Sequence, residues 1–428
     1  MRTSRDKSLN YSKIPLRTCI ILKKIPLGER TCMNSKYQYT NQANLKDKKK
    51  IVFFLPRLHN NMRYLVNALL DLDFEVSVLV LREGEVEDHS RVNFIKLRKL
   101  SFFGLRFFDS KNQERFEFAS INHVFSLLKN NKPDFMLIRN DSTLAFLPVL
   151  ILGKYFKIKI ILYNQYPKYK PTFRMVVYNK LFFIFFGVKT ITPVLNKNFA
   201  NNGMLSSENP EQYKSRLENF LKYNKRTEST IWMPFTFYPK YPLIEVDNKN
   251  IVKIMTVGKI QKRKNLDKVI LRLIDFARTS HYNFELTIVG EKVDSELKYL
   301  SYIENLSRTT LENLKINLFV NLNHNDTLNM YRNSSIFILL SEKEIASISQ
   351  LEAFAVGCKI LVFFDNGNLD FLPVDSSFQK ITDITEFGTI FELILKNQKP
   401  KRQIHEYYEI YDEVCGGING VKRFLDLF

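Results

Sequence analysis

The chain contains few cysteines, histidines, glycines and prolines. Its 428 residues include four cysteines, six histidines, 14 glycines and 14 prolines. The cysteines are widely scattered and the histidines form no paired ligand motif, so we predict no metal site and a reducing, cytoplasmic setting. So little glycine and proline excludes a low-complexity chain, and a hydrophobic content of 45% suffices for two cores.

Long apolar runs are missing as well. The most apolar segments, 144–152 and 181–186, are shorter than the roughly 20 residues that a membrane-spanning helix needs. Near the N terminus, the apolar run 19–22 is interrupted by Lys23 and Lys24, which argues against a signal peptide. We therefore expect core helices in the apolar segments and no membrane span.

Acidic residues are absent from one internal stretch, and the net charge of +20 is concentrated there and at the N terminus. Residues 1–50 hold 13 lysines and arginines against three acids, and residues 142–207 hold nine against none. The first of these stretches shows no sustained hydrophobic period. We interpret residues 1–49 as a disordered basic extension.

The second basic stretch alternates cations with aromatic residues, among them Lys168, Lys170 and Arg174. This pattern suits an anionic membrane surface at the inner face of the membrane, because lysine and arginine attract acidic headgroups and tyrosine prefers the interface. The alternative is that the aromatics are core residues and the lysines only solvate strand ends. Both interpretations remain open, and nucleic acid is not an expected partner.

Apolar strand-like runs alternate with helical patterns along most of the chain, which predicts an α/β protein with parallel sheets. The predicted strands are 51–55, 74–81, 135–138, 158–163 and 190–191, then 252–257, 284–289, 316–319, 336–340 and 359–363. The predicted helices of the first half are 62–72, 114–128, 144–152 and 175–186. A polar insertion at 201–228 and a proline-bearing hinge at 235–250 separate two doubly wound, Rossmann-like halves.

We place the first domain at 50–240 and the second at 241–405. The residues after Lys401 are predicted to be helical with a break at Gly416 and Gly417. We expect helices in the segment 406–428 to cross back onto the first domain.

A short basic loop follows the predicted strand 252–257. Lys259 and Lys264 flank this loop, and a helix is predicted to begin near Asn265. Strand ends and helix N-termini in open α/β sheets favour anions, because backbone N–H groups and the helix dipole point towards the ligand. The pattern therefore suggests a diphosphate site, although a basic loop is more often only a solvated one.

Two glutamates lie eight residues apart after the predicted strand 336–340. Glu344 falls on the connecting loop and Glu352 about one turn into the next helix. A carboxylate can accept two hydrogen bonds from a vicinal diol, which ribose and sugar rings both present. The alternative is a solvated loop acid and a helix acid that is favourable near the positive end of the helix dipole.

Taken together, these motifs resemble the family-4 glycosyltransferases, which are retaining enzymes of the GT-B fold. The resemblance implies two Rossmann-like domains that face a central cleft, a nucleoside diphosphate sugar donor, and neither a metal nor another cofactor. It implies that Lys259 and Lys264 hold the diphosphate, Glu344 the donor sugar and Glu352 the ribose. The donor-site positions are Gly258, Lys259, Lys264, Asn265, Gly290, Ser341, Glu344, Ala346, Ser347, Ile348 and Glu352, with Glu344, Lys264 and Lys259 expected to be catalytic.

The chain departs from the family pattern mainly in its first half. The usual Gly-Gly after the first strand is replaced by the segment 56–61, and Asn164 and Gln165 stand where many members have a histidine. Arg139, at another strand end, is an alternative polar group on the acceptor side. In the second half, Lys259 replaces an arginine, and Ala346 with Ser347 replaces Phe-Gly.

We therefore expect a metal-independent retaining glycosyltransferase that moves a sugar to a glycan or lipid-linked acceptor in cell-surface polysaccharide synthesis. Two alternatives remain open: a nucleotide-sugar epimerase, which shares the GT-B architecture, and a GT-B protein that binds a glycan or a membrane without turnover. Product analysis without an acceptor distinguishes the first alternative, and the absence of nucleoside diphosphate release distinguishes the second.

Overall fold

We describe a computed structural model of the chain. The described residues are 48–83, 91–98, 119–139, 143–164, 184–193, 208–223, 225–227, 230–238, 240, 242–243, 251–342, 344, 346–363, 372–397 and 399–426. The chain divides into two compact units, 1–46 and 47–428, and every described residue belongs to the second. The predicted disordered extension 1–49 thus lies outside the description except for its last two residues.

The first half is built on a sheet that is parallel except at one edge. Its strands run in the order β3-β2-β1-β4-β5-β6-β8-β7, and only β7 is antiparallel to its neighbour. The bounds are β1 Lys50–Leu55, β2 Glu75–Val80, β3 Asn93–Lys96, β4 Phe135–Arg139, β5 Lys159–Tyr163, β6 Lys189–Thr192, β7 Lys225–Thr227 and β8 Thr230–Trp232. The central strands are apolar along nearly their whole length because helices can cover both faces of a parallel sheet.

The helices of the first half connect these strands. Their bounds are α1 Asn60–Asp71, α2 Ile121–Asn131, α3 Thr143–Tyr155 and α4 Pro210–Tyr223. Strand β1 pairs with β2 on one side and with β4 on the other, so the chain order reverses between β1 and β4. In an open α/β sheet, this reversal opens a crevice at the carboxyl ends of the strands.

The second half repeats the design with an all-parallel sheet in the order β11-β10-β9-β12-β13-β14. The bounds are β9 Ile251–Lys259, β10 Asn283–Glu291, β11 Leu314–Val320, β12 Ile336–Leu339, β13 Lys359–Phe363 and β14 Phe378–Ile381. The helices are α5 Leu266–Thr279, α6 Leu297–Ser307, α7 His324–Arg332, α8 Ile348–Ala355 and α9 Phe387–Lys396. Here the chain order reverses between β9 and β12. The two doubly wound sheets confirm the predicted α/β architecture with two Rossmann-like halves.

The end of the chain packs on the first half through two helices, α10 Lys401–Val414 and α11 Gly417–Leu425. The hydroxyl of Tyr407 donates to the backbone oxygen of Glu208 at 2.6 Å, and that of Tyr411 donates to the backbone oxygen of Phe235 at 2.6 Å. Gly417 separates the helices with a positive φ of 52°, which glycine adopts at little cost. The predicted helix break is therefore confirmed.

The structure differs from the sequence predictions in three places. The polar insertion contains α4, whose Tyr213 and Leu217 are fully buried. The segment predicted as a hinge begins inside the core, because Phe235 and Phe237 are buried. The strands β3, β7, β8 and β14 were not predicted, since each has only three or four residues and none is a long apolar run.

Candidate active site

A cavity of about 330 Å³ lies between the two halves. The carboxyl ends of β1 and β4 and those of β9 and β12 all contribute residues to its wall, so it joins the two crevices where chain order reverses. The first half supplies Arg57, His59, Arg139 and Phe235. The second half supplies most of the predicted donor-site residues.

The basic loop after β9 forms one edge of the cavity. Gly258, Lys259 and Lys264 all line it, and Lys264 is only 8% exposed. A short 3-10 turn at 262–264 directs the chain into α5, with Asn265 at a left-handed φ of 50°. The loop thus brings a buried ammonium group to the carboxyl end of the sheet.

Lys264 is paired with Glu344. The Lys264 Nζ atom lies 2.5 Å from a Glu344 carboxylate oxygen, and the guanidinium of Arg263 lies 3.6 Å from the same oxygen. Burial lowers the pKa of Lys264, and the neighbouring Glu344 carboxylate opposes that shift. The predicted phosphate-binding lysine and sugar-binding glutamate therefore meet within the cavity.

Lys259 contacts an acid that the sequence did not single out. Its Nζ atom lies 3.6 Å from Glu291, whose other oxygen accepts a hydrogen bond from Arg57 of the first half at 2.9 Å. Glu291 follows Gly290 at the end of β10. A Cβ atom at Gly290 would lie 2.3 Å from the side chain of Ile260, so only glycine fits this close approach of strand and loop.

Glu352 occupies the deepest position, on the second turn of α8. It is 2% exposed, and its Oε1 atom accepts a hydrogen bond from the hydroxyl of Tyr64 in α1 at 2.7 Å. The same hydroxyl lies 2.9 Å from His324 Nε2. Burial raises the pKa of Glu352 to about 7, although the hydrogen bond from Tyr64 and the nearby Tyr331 hydroxyl act in the opposite direction. One carboxylate oxygen is thus already bonded to the first half.

The start of α8 also lines the cavity. Ala346, Ser347 and Ile348 all contribute to the wall, and the Ser347 hydroxyl lies 2.6 Å from that of Ser349. Ser347 directly precedes the helix, where backbone N–H groups of the first turn lack intrahelical acceptors. Ala346 and Ser347 thus lie at the cavity wall directly before the first-turn N–H groups of α8.

Two predicted donor-site residues are set back from the cavity. The Asn265 side chain donates to the backbone oxygen of Leu340 at 2.8 Å and to Glu342 at 3.2 Å, which ties the basic loop to the end of β12. Ser341 is 1% exposed, and its hydroxyl has no hydrogen-bond partner among the described residues. Asn265 supports the loop rather than lining the cavity.

The acceptor-side predictions have different outcomes. Arg139, the last residue of β4, lines the cavity and is 8% exposed. Asn164 is half-buried beyond β5, with its backbone N–H bonded to Ile191, and it does not line the cavity. The remaining candidates lie outside the described residues: Gln165, Lys168, Lys170 and Arg174.

Sequence reasoning assigned no site role to four residues that line the cavity, Arg57, His59, Glu291 and His324, nor to Tyr64, which donates a hydrogen bond to Glu352. Arg57 and His59 lie in the segment that replaces the family's Gly-Gly, so side chains occupy this approach to the cavity. Burial lowers the pKa of His59 well below its ordinary value, and Arg139 and Arg57 add to the effect, which favours the neutral imidazole. The position of Arg57 and His59 directly after a strand end could have indicated a place in the site, because ligands bind there in such sheets.

No helix among the described residues is both long and apolar enough to cross a membrane. The same residues include no group of three or more histidine, cysteine or acidic side chains arranged to hold a metal ion.

Comparison with protein families finds one match, in the second half. Residues 243–410 match the family model of the glycosyl transferases group 1. No curated protein sequence matches the chain.

Solved structures resemble the whole fold. HepE of Anabaena in complex with UDP superposes with a TM-score of 0.60 at 12% identity, covering 88% of this chain and 98% of that one. WaaG, a glycosyltransferase involved in lipopolysaccharide biosynthesis, gives 0.55 at 14% identity, covering 88% and 99%. Sucrose-phosphate synthase from Thermosynechococcus elongatus gives 0.53 at 11% identity, covering 89% and 98%. The chain thus has the GT-B fold, and residues 243–410 match the family model of the glycosyl transferases group 1.

Proposed function

We propose that this chain is a metal-independent, retaining glycosyltransferase that moves a sugar from a nucleoside diphosphate sugar to a glycan or lipid-linked acceptor in cell-surface polysaccharide synthesis. The observation that carries the proposal is the buried Lys264–Glu344 pair beside Lys259, at the point where the second sheet reverses its order. UDP and UDP-glucose are bound by HepE, and WaaG acts in lipopolysaccharide biosynthesis. These likenesses support the substrate class and the pathway.

The proposed chemistry depends on stabilising the leaving diphosphate. Lys264 and Lys259 would donate to its oxygens, while Glu344 would accept hydrogen bonds from the donor sugar. Negative charge develops on the leaving group in the transition state, and fixed cations in a site shielded from water stabilise it more than the ground state. The first-turn N–H groups of α8, next to Ser347, are further candidate donors.

The test measures release of nucleoside diphosphate by Lys264→Ala and Glu344→Ala. Loss of one fixed electrostatic contact to the leaving group is expected to lower kcat by about 100-fold or more. Lys268→Ala is the matched control, because Lys268 is a nearby lysine that pairs with Glu342 at 3.2 Å and does not line the cavity. Turnover near that of the unmodified protein in both cavity variants would refute the assignment.

The donor nucleotide is identified first by calorimetric titration with UDP, GDP, ADP and CMP. Selective binding of one nucleotide, weakened in Glu352→Ala, would support the donor site. If none of them binds, the non-catalytic GT-B alternative is favoured. Incubation of the sugar nucleotide without an acceptor separates transfer from epimerisation, since only an epimerase converts the donor into its isomer.

We also propose that the first half touches an anionic membrane surface. Ile184 and Phe185 are 71% and 62% exposed, as is Tyr155 at 70%. The Lys154 ammonium lies 4.0 Å from the centroid of the Phe185 ring. Exposed aromatic groups beside cations suit an interface with acidic headgroups.

Co-sedimentation with vesicles of phosphatidylglycerol or phosphatidylcholine tests this contact. We expect binding to the anionic vesicles only, weakened in the double variant Tyr155→Ser, Phe185→Ser. Tyr302→Ser is the control, because Tyr302 is an exposed tyrosine of the second half, at 44%. Equal binding by the double variant and the control would contradict the proposed contact surface.

A further inference from the structure

The carboxylate that is predicted to bind the ribose is held from the opposite half of the chain. Glu352 lies on α8, and its Oε1 atom accepts the 2.7 Å hydrogen bond from the hydroxyl of Tyr64 on α1. The two residues are 2% and 1% exposed. A hydrogen bond in such a buried place is electrostatically stronger than one in water, so it restricts the rotation of the carboxylate.

Tyr64 is itself fixed in place by contacts with two other elements. Its ring packs edge-on against that of Phe237, with the centroids 4.8 Å apart, and its hydroxyl lies 2.9 Å from Nε2 of His324. His324 is the first residue of α7, and the preceding Asn323 caps this helix by accepting from the backbone N–H of Asp326 at 2.9 Å. The hydroxyl that meets Glu352 therefore has a defined position.

These hydrogen bonds form a chain with one direction. A tyrosine hydroxyl has a single proton, and Tyr64 donates it to Glu352. The contact with His324 therefore requires a proton on Nε2, which the imidazole donates to the Tyr64 oxygen. Successive bonds of this kind polarise one another, so the N–H of His324 strengthens the bond that Tyr64 gives to Glu352.

Tyr64 is placed to act through Glu352 and not on a ligand directly. Glu352 and His324 line the cavity, whereas Tyr64 is not among its lining residues. The two oxygens of a carboxylate offer about four lone-pair positions, so the bond to Oε1 leaves capacity to accept from a diol. By fixing Oε1, Tyr64 also sets the direction in which these remaining positions point.

We propose that Tyr64 is a positioning residue of the nucleotide site, which orients the Glu352 carboxylate to accept hydrogen bonds from the two ribose hydroxyls. This inference rests on the proposed donor site and adds to it a residue of the first half. A carboxylate that is oriented in advance loses less conformational freedom when the nucleotide binds. The recognition of the ribose therefore depends on the contact between the halves.

The test compares two ligands that differ only in the ribose hydroxyls. UDP, or whichever nucleotide the titration above selects, and its 2′,3′-dideoxy form are titrated by calorimetry at pH 8, where Glu352 with its pKa of about 7 is mainly ionised. The ratio of the dideoxy dissociation constant to that of the normal nucleotide measures the recognition of the ribose. We expect a ratio of about ten or more, since each hydroxyl donates to a charged acceptor.

Tyr64→Phe is expected to lower this ratio by about threefold or more, the size of one lost hydrogen bond, while the dideoxy form binds within about twofold of its original affinity. Binding of the dideoxy form also shows that the variant folds. Tyr411→Phe is the matched control, because it removes an equally buried hydroxyl that bonds to Phe235 and does not line the cavity. Its ratio should stay unchanged.

Two variants of His324 test the same chain of hydrogen bonds with Tyr64 left intact. His324→Leu removes the N–H that the Tyr64 oxygen accepts, and His324→Gln keeps an N–H donor on a side chain of similar reach. We expect the ratio to fall in His324→Leu and to be partly restored in His324→Gln. Equal ratios in His324→Leu and the unmodified protein would contradict the proposed chain.

Three results would overturn the inference while leaving the transfer reaction intact. If Tyr64→Phe weakens both ligands by the same factor, the hydroxyl only supports the fold. If Tyr64→Phe binds the normal nucleotide more tightly, the hydroxyl competes with the ribose for Glu352. If the unmodified protein binds both ligands equally, Glu352 does not recognise the ribose. Failure of every nucleotide to bind would instead overturn the donor site, and the inference with it.

Discussion

Replacement of Glu352 by glutamine should change how the stability of the protein depends on pH. Glu352 is almost fully buried, and its contacts at the cavity are with Tyr64 and His324. Tyr331 and Arg63 also act on it, and both favour the charged form. Burial outweighs them and raises the pKa to about 7, so near neutral pH a large share of the molecules carry the protonated acid. Glutamine keeps the shape and the acceptor oxygen but does not titrate.

The direction of the effect follows from the raised pKa. Because Glu352 holds its proton more tightly in the folded state than in the unfolded state, its contribution to stability is complete below about pH 4.5 and is lost as the pH rises through about 7. The rise from the ordinary value of 4.5 to about 7 corresponds to a free energy of roughly 3 kcal/mol, most of which falls between pH 5 and pH 8. Glu352→Gln should therefore gain stability by about this amount relative to the unmodified protein over that interval.

The assay is urea denaturation followed by circular dichroism at about pH 5, 6, 7 and 8, at constant salt. The difference between the unmodified protein and Glu352→Gln is the measured quantity, since the other ionisable groups largely cancel in it. Glu413→Gln is the control for loss of a carboxylate, because Glu413 is 62% exposed and pairs with Lys214 on the surface. A difference that stays constant within about 0.5 kcal/mol across the interval would refute the reasoning that burial controls this carboxyl group.

Three further substitutions test the contacts that position the cavity. Tyr64→Phe removes a hydrogen bond to Glu352, so it should destabilise the fold by about 1–3 kcal/mol and move the pH transition of Glu352 upwards, both measurable by the same urea series. Gly290→Ala should cost about 1–3 kcal/mol in thermal unfolding, because the added Cβ would meet the side chain of Ile260 at 2.3 Å. Tyr411→Phe should lower the free energy of unfolding in urea by about 1–2 kcal/mol, because its hydroxyl bonds the end of the chain to the first half. For each of the three variants, an unchanged free energy of unfolding would contradict the contact that it tests.

The second half was predictable from the sequence because its signals are local. Apolar runs mark β9 to β13, and the positions of Lys264, Glu344 and Glu352 relative to strand ends place them at one crevice. The helix α4 was missed inside a polar insertion, although Tyr213 and Leu217 are spaced four residues apart on its buried face. That spacing was a usable signal, and the polarity of the surrounding residues concealed it.

The contacts between the halves could not be predicted because no local period encodes them. From the sequence alone, Tyr64 is expected to be an ordinary core residue of α1 and His324 a residue at the start of a helix. The two residues are 260 positions apart in the chain, and only the docking of the two halves brings the Tyr64 hydroxyl to 2.9 Å from the His324 imidazole. The same docking gives Glu352 its burial and thus its raised pKa.

The predicted donor-site residues also take part in the contact between the halves. In the structure Glu352 accepts a hydrogen bond from Tyr64, and Glu291, which lies beside Lys259, accepts one from Arg57. Two parts of the predicted donor site therefore contact the first half. A ribose that donates hydrogen bonds to Glu352 must share this carboxylate with Tyr64 or displace Tyr64 from it. Nucleotide binding and the interface between the halves would then be coupled, and Tyr64→Phe should alter nucleotide affinity although Tyr64 belongs to the half opposite the donor site.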